Sequence, residues 1–268
     1  MSPFPFAGKT THDSTIKKLT LRLDADDEDA EAGIRTALEN RTEKDLRRAL
    51  HDMLETHFPQ GYGEFIDPQI EAARIHREFM QDKALRDAVE RALVDGVDLG
   101  VRTSVTQFEN IGFGFNWTLA NEQAREWAVR YTDELLNQLG TSSGRLVGQA
   151  LSRWIVNQEP LSALIKDLAP VFGEKRAELI ASTEITRAFA QGTLAGYAAA
   201  GYGESQPTEP IPQHPRCRCW YSLQINNDNS AYFIFRTSAD ERVCPICGPL
   251  NGANIGVARA ARQLPLGV

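Results

Sequence analysis

The chain has 268 residues, 42% hydrophobic and 24% charged, with a formal net charge of −7, a length that suits one large domain or two smaller ones. No apolar run approaches the ~18 residues of a membrane helix. The six Arg and five acids of residues 201–268 leave that region at a net +1 and the first 200 residues at −8, which argues against a polybasic surface for extensive non-specific DNA binding.

The start, MSPFPFAGKTTHDSTIKK, lacks the order of a charged segment followed by an apolar one that marks a secretory leader. Synthesis and folding are therefore expected in a reducing cytoplasm, where four cysteines serve as thiols or metal ligands rather than as disulfides. Residues 1–25 are aperiodic and read as a flexible arm. The acidic run DADDEDAE that follows (24–31) suits the positive end of a helix dipole, so its reading is helix initiation.

Residues 26–203 read as a helical body. Ile75, Phe79, Val89, Leu93 and Val97 fall near one face of a long segment opened by Asp67-Pro68. Trp127, Tyr131, Leu135 and Leu139, then Val147, Leu151 and Ile155, recur at three- to four-residue spacing and are expected in the core. Breaks are expected at GFGFNW (112–117), at GTSSG (140–144), at Pro160 and around Gly173. The last helix carries a stripe of mostly small residues: Ala181, Ile185, Ala188, Phe189, Gly192 and Gly196. A glycine inside a helix costs about 1 kcal/mol relative to alanine. Two glycines four apart are tolerable where another backbone packs closely on that face. Glu184 and Arg187, three apart, are read as an exposed ion pair of little worth, the other option being a buried polar contact.

Residues 204–268 differ in character. Prolines 207, 210, 212 and 215 exclude a helix and give a linker or extended loop. WYSLQI and AYFIFRT, separated by NNDNS, read as a β-hairpin. All four cysteines lie in this region: HPRCRC supplies His214, Cys217 and Cys219, and CPIC supplies Cys244 and Cys247. Thiol pairs on the two sides of a hairpin can converge on one tetrahedral ion, so these five residues are the expected ligands of a structural zinc. Either Cys219 or His214 can be the one that stays outside the first coordination sphere and orients the others. A module this small is expected to need such a staple.

Catalytic readings fit less well. In a redox dithiol the second cysteine sits on a helix, whereas Gly248, Pro249, Asn251 and Gly252 follow Cys247. A nucleobase deaminase needs H-x-E and P-C-x-x-C, whereas His214 is followed by Pro-Arg and the proline of CPIC lies between the cysteines, so neither half fits. An H-E-x-x-H signature and a complete phosphate loop, G-x-x-x-x-G-K-S/T, are also missing. The expectation is a protein that is not an enzyme, with no catalytic residue and no small-molecule substrate.

Taken together, RAELIASTEITRAFAQGTLAGYAAAG, HPRCRC and DERVCPICGPLNG resemble the phage Mu F-like minor head protein family, also called phage head morphogenesis proteins. FNWTLANEQAREWAVRYTDELLNQL is similar to the helical part of that family, so the resemblance covers about residues 90–255. It implies a minor component of a tailed-phage or prophage head, made in the bacterial cytoplasm and residing in the virion. Such a component lies near the portal and acts in assembly or DNA delivery, with portal and head proteins as partners. Family members place C-P-x-C before H-P-x-C-R-C; here the order is swapped. A second expectation, from a different class, is a zinc module that contacts packaged DNA through Arg216, Arg218, Arg236 and Arg242; a thiol-disulfide enzyme is the third. The expected fold class is mainly α: a multi-helix body followed by a small β-hairpin in a cysteine-rich, zinc-knuckle-like C-terminal module.

Overall fold

The computed structural model describes residues 28–57, 67–109, 117–158, 160–203, 205–226, 230–237 and 244–258. The arm expected over 1–25, most of the GFGFNW break, the centre of the NNDNS turn and Arg242 lie outside the described residues. The protein is mainly helical, with a small three-stranded antiparallel sheet near its C-terminal end. None of its helices is long and apolar enough to cross a membrane, among the described residues.

Helix α1 spans Glu28–His57 and begins inside the acidic run. Helix α2, Pro68–Gln81, starts as its sequence predicts: the Asp67 carboxylate accepts from the backbone N–H of Gln69 at 2.7 Å and of Ile70 at 3.4 Å, and Pro68 occupies the first helical turn, where no intrahelical partner for its nitrogen is needed. The long segment expected from here is in fact two helices. Asp82 adopts extended geometry, and its N–H closes α2 on Glu78. Its carboxylate accepts from Leu85 N–H at 2.6 Å, which caps α3, Lys83–Glu109. The apolar stripe hides this break because Ile75 and Phe79 before it, and Val89, Leu93 and Val97 after it, are all buried in one core.

Helix α4 runs unbroken from Trp117 to Asn157, straight through the expected break at GTSSG. Its glycines serve close packing instead. A Cβ at Gly144 would stand 2.4 Å from the Ala72 carbonyl oxygen of α2, and one at Gly148 3.1 Å from that of Pro68. The hydroxyls of Ser142 and Ser143 donate back to the Leu139 carbonyl, so neither interrupts the helix. Of the stripe on α4, Tyr131, Leu135, Leu139, Val147 and Leu151 are buried and Trp127 packs against the core, whereas Ile155 near the helix end is exposed. The break at Pro160 is present, with α5 covering Leu161–Phe172, and so is the one at Gly173.

Helix α6, Glu174–Ala199, carries the small-residue stripe, and all six of its members are buried. It crosses α3 at close range through glycines on both partners. A Cβ at Gly192 would lie 2.0 Å from the Val97 carbonyl oxygen, and one at Gly100 2.1 Å from that of Phe189. The Glu184–Arg187 pair is not the exposed one expected. Glu184 is buried, accepting from Arg187 Nε at 3.0 Å and from the Tyr131 hydroxyl at 3.1 Å. Tyr131 reaches it from α4, an element the local spacing does not reveal. Helix α6 ends in a Schellman turn: Gly201 has φ +96°, its N–H donates to Ala198, and Tyr202 N–H donates to Tyr197.

The Pro-rich stretch beyond is extended but tied down. Thr208 donates to the Ile255 carbonyl through both its N–H (2.7 Å) and its hydroxyl (2.8 Å). Strands β1 (Trp220–Ile225) and β2 (Ala231–Arg236) form the expected hairpin, in register from Trp220↔Arg236 to Ile225↔Ala231. A third strand, β3 (Asn254–Ala258), pairs with the far edge of β2. The sequence hides it because it is short and carries Gly256 at φ +141°. The sheet does not bury a core alone. Tyr197 and Ala190 of α6 join Phe233, Phe235, Tyr221 and Ile255 in one apolar cluster, and the Tyr197 hydroxyl donates to the Tyr221 carbonyl at 3.2 Å.

Candidate metal centre

The chain folds back on itself twice at the edge of this cluster. The H-P-R-C-R-C segment enters through a turn at Arg216, which sits at φ +63°. Its backbone N–H donates to the Thr183 hydroxyl at 3.0 Å, and its guanidinium donates to Glu178 at 3.1 Å. One turn of α6 further along, the Thr186 hydroxyl donates to the Cys217 carbonyl at 2.6 Å. Helix α6 therefore holds the segment by side chains placed along one face. From the other side, C-P-I-C makes a tight turn in which Cys247 N–H points at Cys244 Sγ (3.3 Å) and Gly248 N–H donates to the Cys244 carbonyl (3.0 Å). Cys247 then leads into a single 3₁₀ turn, Gly248–Leu250.

These two turns bring all five sequence-predicted residues together, in two overlapping groups. His214, Cys244 and Cys247 form one; Cys217, Cys219 and Cys247 form the other. Within each group the potential ligand atoms all lie within 4.8 Å of one another, so either group could hold a metal ion. All four cysteines are free thiols. Cys217, Cys219 and Cys247 are buried, while Cys244 and His214 are half-buried. Two thiolates on one tetrahedral zinc, each ~2.3 Å from it, stand about 3.8 Å apart. Cys217 Sγ and Cys247 Sγ are 3.9 Å apart.

The imidazole is set up as a ligand. Nδ1 of His214 lies 2.7 Å from the Pro215 carbonyl, an acceptor only, so Nδ1 carries the proton and donates. Nε2 then presents its lone pair toward Cys244 Sγ at 2.8 Å and Cys247 Sγ at 3.2 Å. A carbonyl that fixes the far ring nitrogen is the arrangement that orients metal-bound histidines. The thiols differ in acidity. A hydrogen bond from Cys219 pulls the Cys217 thiol down to about 5, against its burial. Burial pushes Cys247 up to about 12, and Cys219 is raised by its hydrogen bond to Cys217 and by burial. Because a metal takes thiolates, its capture here releases protons.

Sequence reasoning missed the groups that position the ligands. Thr183, Thr186 and Glu178 belong to a helix whose pattern predicts packing, and no spacing ties them to residues 214–219. It also missed the partner of Arg218. This arginine, between two of the cysteines, places Nη2 2.6 Å from Glu39 Oε2 of α1. Of the four arginines considered for DNA, Arg216 and Arg218 are thus paired with Glu178 and Glu39. Arg236 bonds the Ser222 hydroxyl.

No family model, no curated protein and no solved structure matches the chain.

Proposed function

We propose that the chain is a minor head (head morphogenesis) protein of a tailed phage or prophage. It is a non-enzymatic assembly component that sits near the portal and is stapled at its C-terminal end by one zinc ion. The observation that carries this reading is the convergence of H-P-R-C-R-C and C-P-I-C on a common cysteine, Cys247, against the small-residue helix α6. These are the same three segments on which the resemblance to the Mu F-like family rests, and their swapped order along the chain does not keep them from meeting. Zinc is favoured over harder cations because the donors are thiols and an imidazole. Five protein donors for four positions favour a closed structural site over a catalytic one, which keeps a position open for water or substrate.

The pairing of Arg216 and Arg218 with carboxylates favours the assembly role over a DNA-contacting one, because the arginines nearest the thiols are already neutralised. Two measurements test the proposal. Elemental analysis after gel filtration should give about one zinc per chain. Cross-linking mass spectrometry of purified particles from the encoding phage should find the protein in the head, linked to the portal. Particles that assemble and package normally without it would overturn the head assignment. A metal-free protein whose C-terminal region resists protease would overturn the staple.

A further inference from the structure

We propose that the metal centre also clamps the N-terminal half of α1, so that metal occupancy decides whether residues 33–42 stay docked on the body. This rests on the metal reading above. The two halves of α1 are held differently. Its C-terminal half buries Leu46, Ala49, Leu50 and Met53 in the main helical core. Its N-terminal half buries Arg35, Glu39 and Thr42 beside Leu38. A segment that buries charges keeps its place only while their partners keep theirs.

Some of those partners belong to or adjoin the ligand-bearing loop, beside others on α3 and α6: Leu38 packs with Ala92, Leu99, Ile185 and Phe189, and Arg41 pairs with Asp95. Arg218 of that loop pairs with Glu39, which also faces Arg35 at 3.7 Å. Arg35 Nη2 donates to the Thr186 hydroxyl at 3.5 Å, and that hydroxyl donates to the Cys217 carbonyl. The Arg35 guanidinium also lies over two rings, 5.4 Å from the centre of Phe189 and 5.9 Å from that of Trp220, the residue after Cys219. Three links therefore run from one stretch of α1 to residues 217, 218 and 220. A metal held by the cysteines on either side of Arg218 fixes the backbone that carries its side chain. Once the metal is removed, Arg218 and Trp220 lose that anchor.

Hydrogen exchange of the full-length chain, read by mass spectrometry, tests the clamp with zinc as the probe. Chelation of the zinc-loaded protein should speed exchange in 33–42 by about tenfold while leaving 46–57 unchanged, since charged hydrogen bonds are of that magnitude. Arg218→Gln, which removes no ligand, should keep its full zinc and show the same local acceleration. Zinc bound at full stoichiometry with 33–42 equally protected after chelation, or in Arg218→Gln, would overturn the clamp and leave the staple standing. A chain that takes up no zinc would overturn both.

Discussion

Cys247 belongs to both ligand groups, whereas each of the other four candidates belongs to one. The Cys247 thiol lies within 4.8 Å of the ligand atoms of all four others and so joins the two groups into one site, from which one of the rest can stay out. Cys247→Ser is expected to weaken zinc by about 100-fold or more, beyond what loss of an orienting neighbour costs. His214→Ala and Cys219→Ala should each weaken it much less. Competition against a chromophoric chelator measures all three, and equal losses would show that Cys247 is not shared. A second residue-scale expectation concerns Asp98, whose buried Oδ1 has no hydrogen-bond partner. Burial raises its carboxyl above the ordinary value of 3.8, and Arg125 and Arg102 only partly oppose this. Folded Asp98 thus keeps its proton to a higher pH than the unfolded chain does. Stability falls as pH rises from the ordinary carboxyl value through the raised one. Asp98→Asn should be more stable than the parent at neutral pH, with the gain vanishing toward acid. Urea melts at the two pH values check it, and a less stable variant at neutral pH would show that the arginines hold the ionised form.

The same kind of residue plays opposite parts in different helices. At Gly192 an added methyl would meet the Val97 carbonyl oxygen at 2.0 Å, and backbone cannot move aside as a side chain can. Gly192→Ala should destabilise by overpacking, on the order of 1–3 kcal/mol. Gly33 is exposed on α1 with nothing within 4 Å of such a methyl. Gly33→Ala should stabilise by roughly 0.5–1 kcal/mol through helix propensity alone. Denaturant midpoints of the two variants should move in opposite directions; a shared direction would remove the close-packing account of α6. How far a helix can be read from sequence follows from this contrast. Gly192 and Gly196 fall on an apolar stripe, so their packing role is visible. Gly140 and Gly144 sit among Thr141, Ser142 and Ser143, so they resemble a loop until α2 is seen against them. Asp82 is the converse case, a cap concealed within a continuous apolar stripe, because periodicity reports burial and not backbone direction.

At the scale of the whole molecule, the residues that could hold a metal were visible in the sequence because cysteine pairs are rare and chemically specific. Their platform was not, because it is built from threonines, glutamates and arginines that are common on any helix. That platform bears on how separable the two parts are. The main helical core draws its residues from Leu46 to Ala188 and includes none from the C-terminal module. The second cluster mixes Ala190 and Tyr197 of α6 with the sheet and the thiols. A 1–203 fragment should therefore keep its main core but uncover Tyr197 and its neighbours, at a cost on the order of 3 kcal/mol. Domains of ordinary stability, about 5–15 kcal/mol, can bear that loss. The fragment is expected to retain most of its far-UV helix signal, melt at a lower temperature and bind a hydrophobic dye that the full chain does not. If the helical body carries the docking surface for the portal, the fragment should also still be captured by it. An unfolded fragment would show that the helical core depends on the cysteine module. A folded fragment that no longer binds would place the docking surface in the module, with the helices as its scaffold.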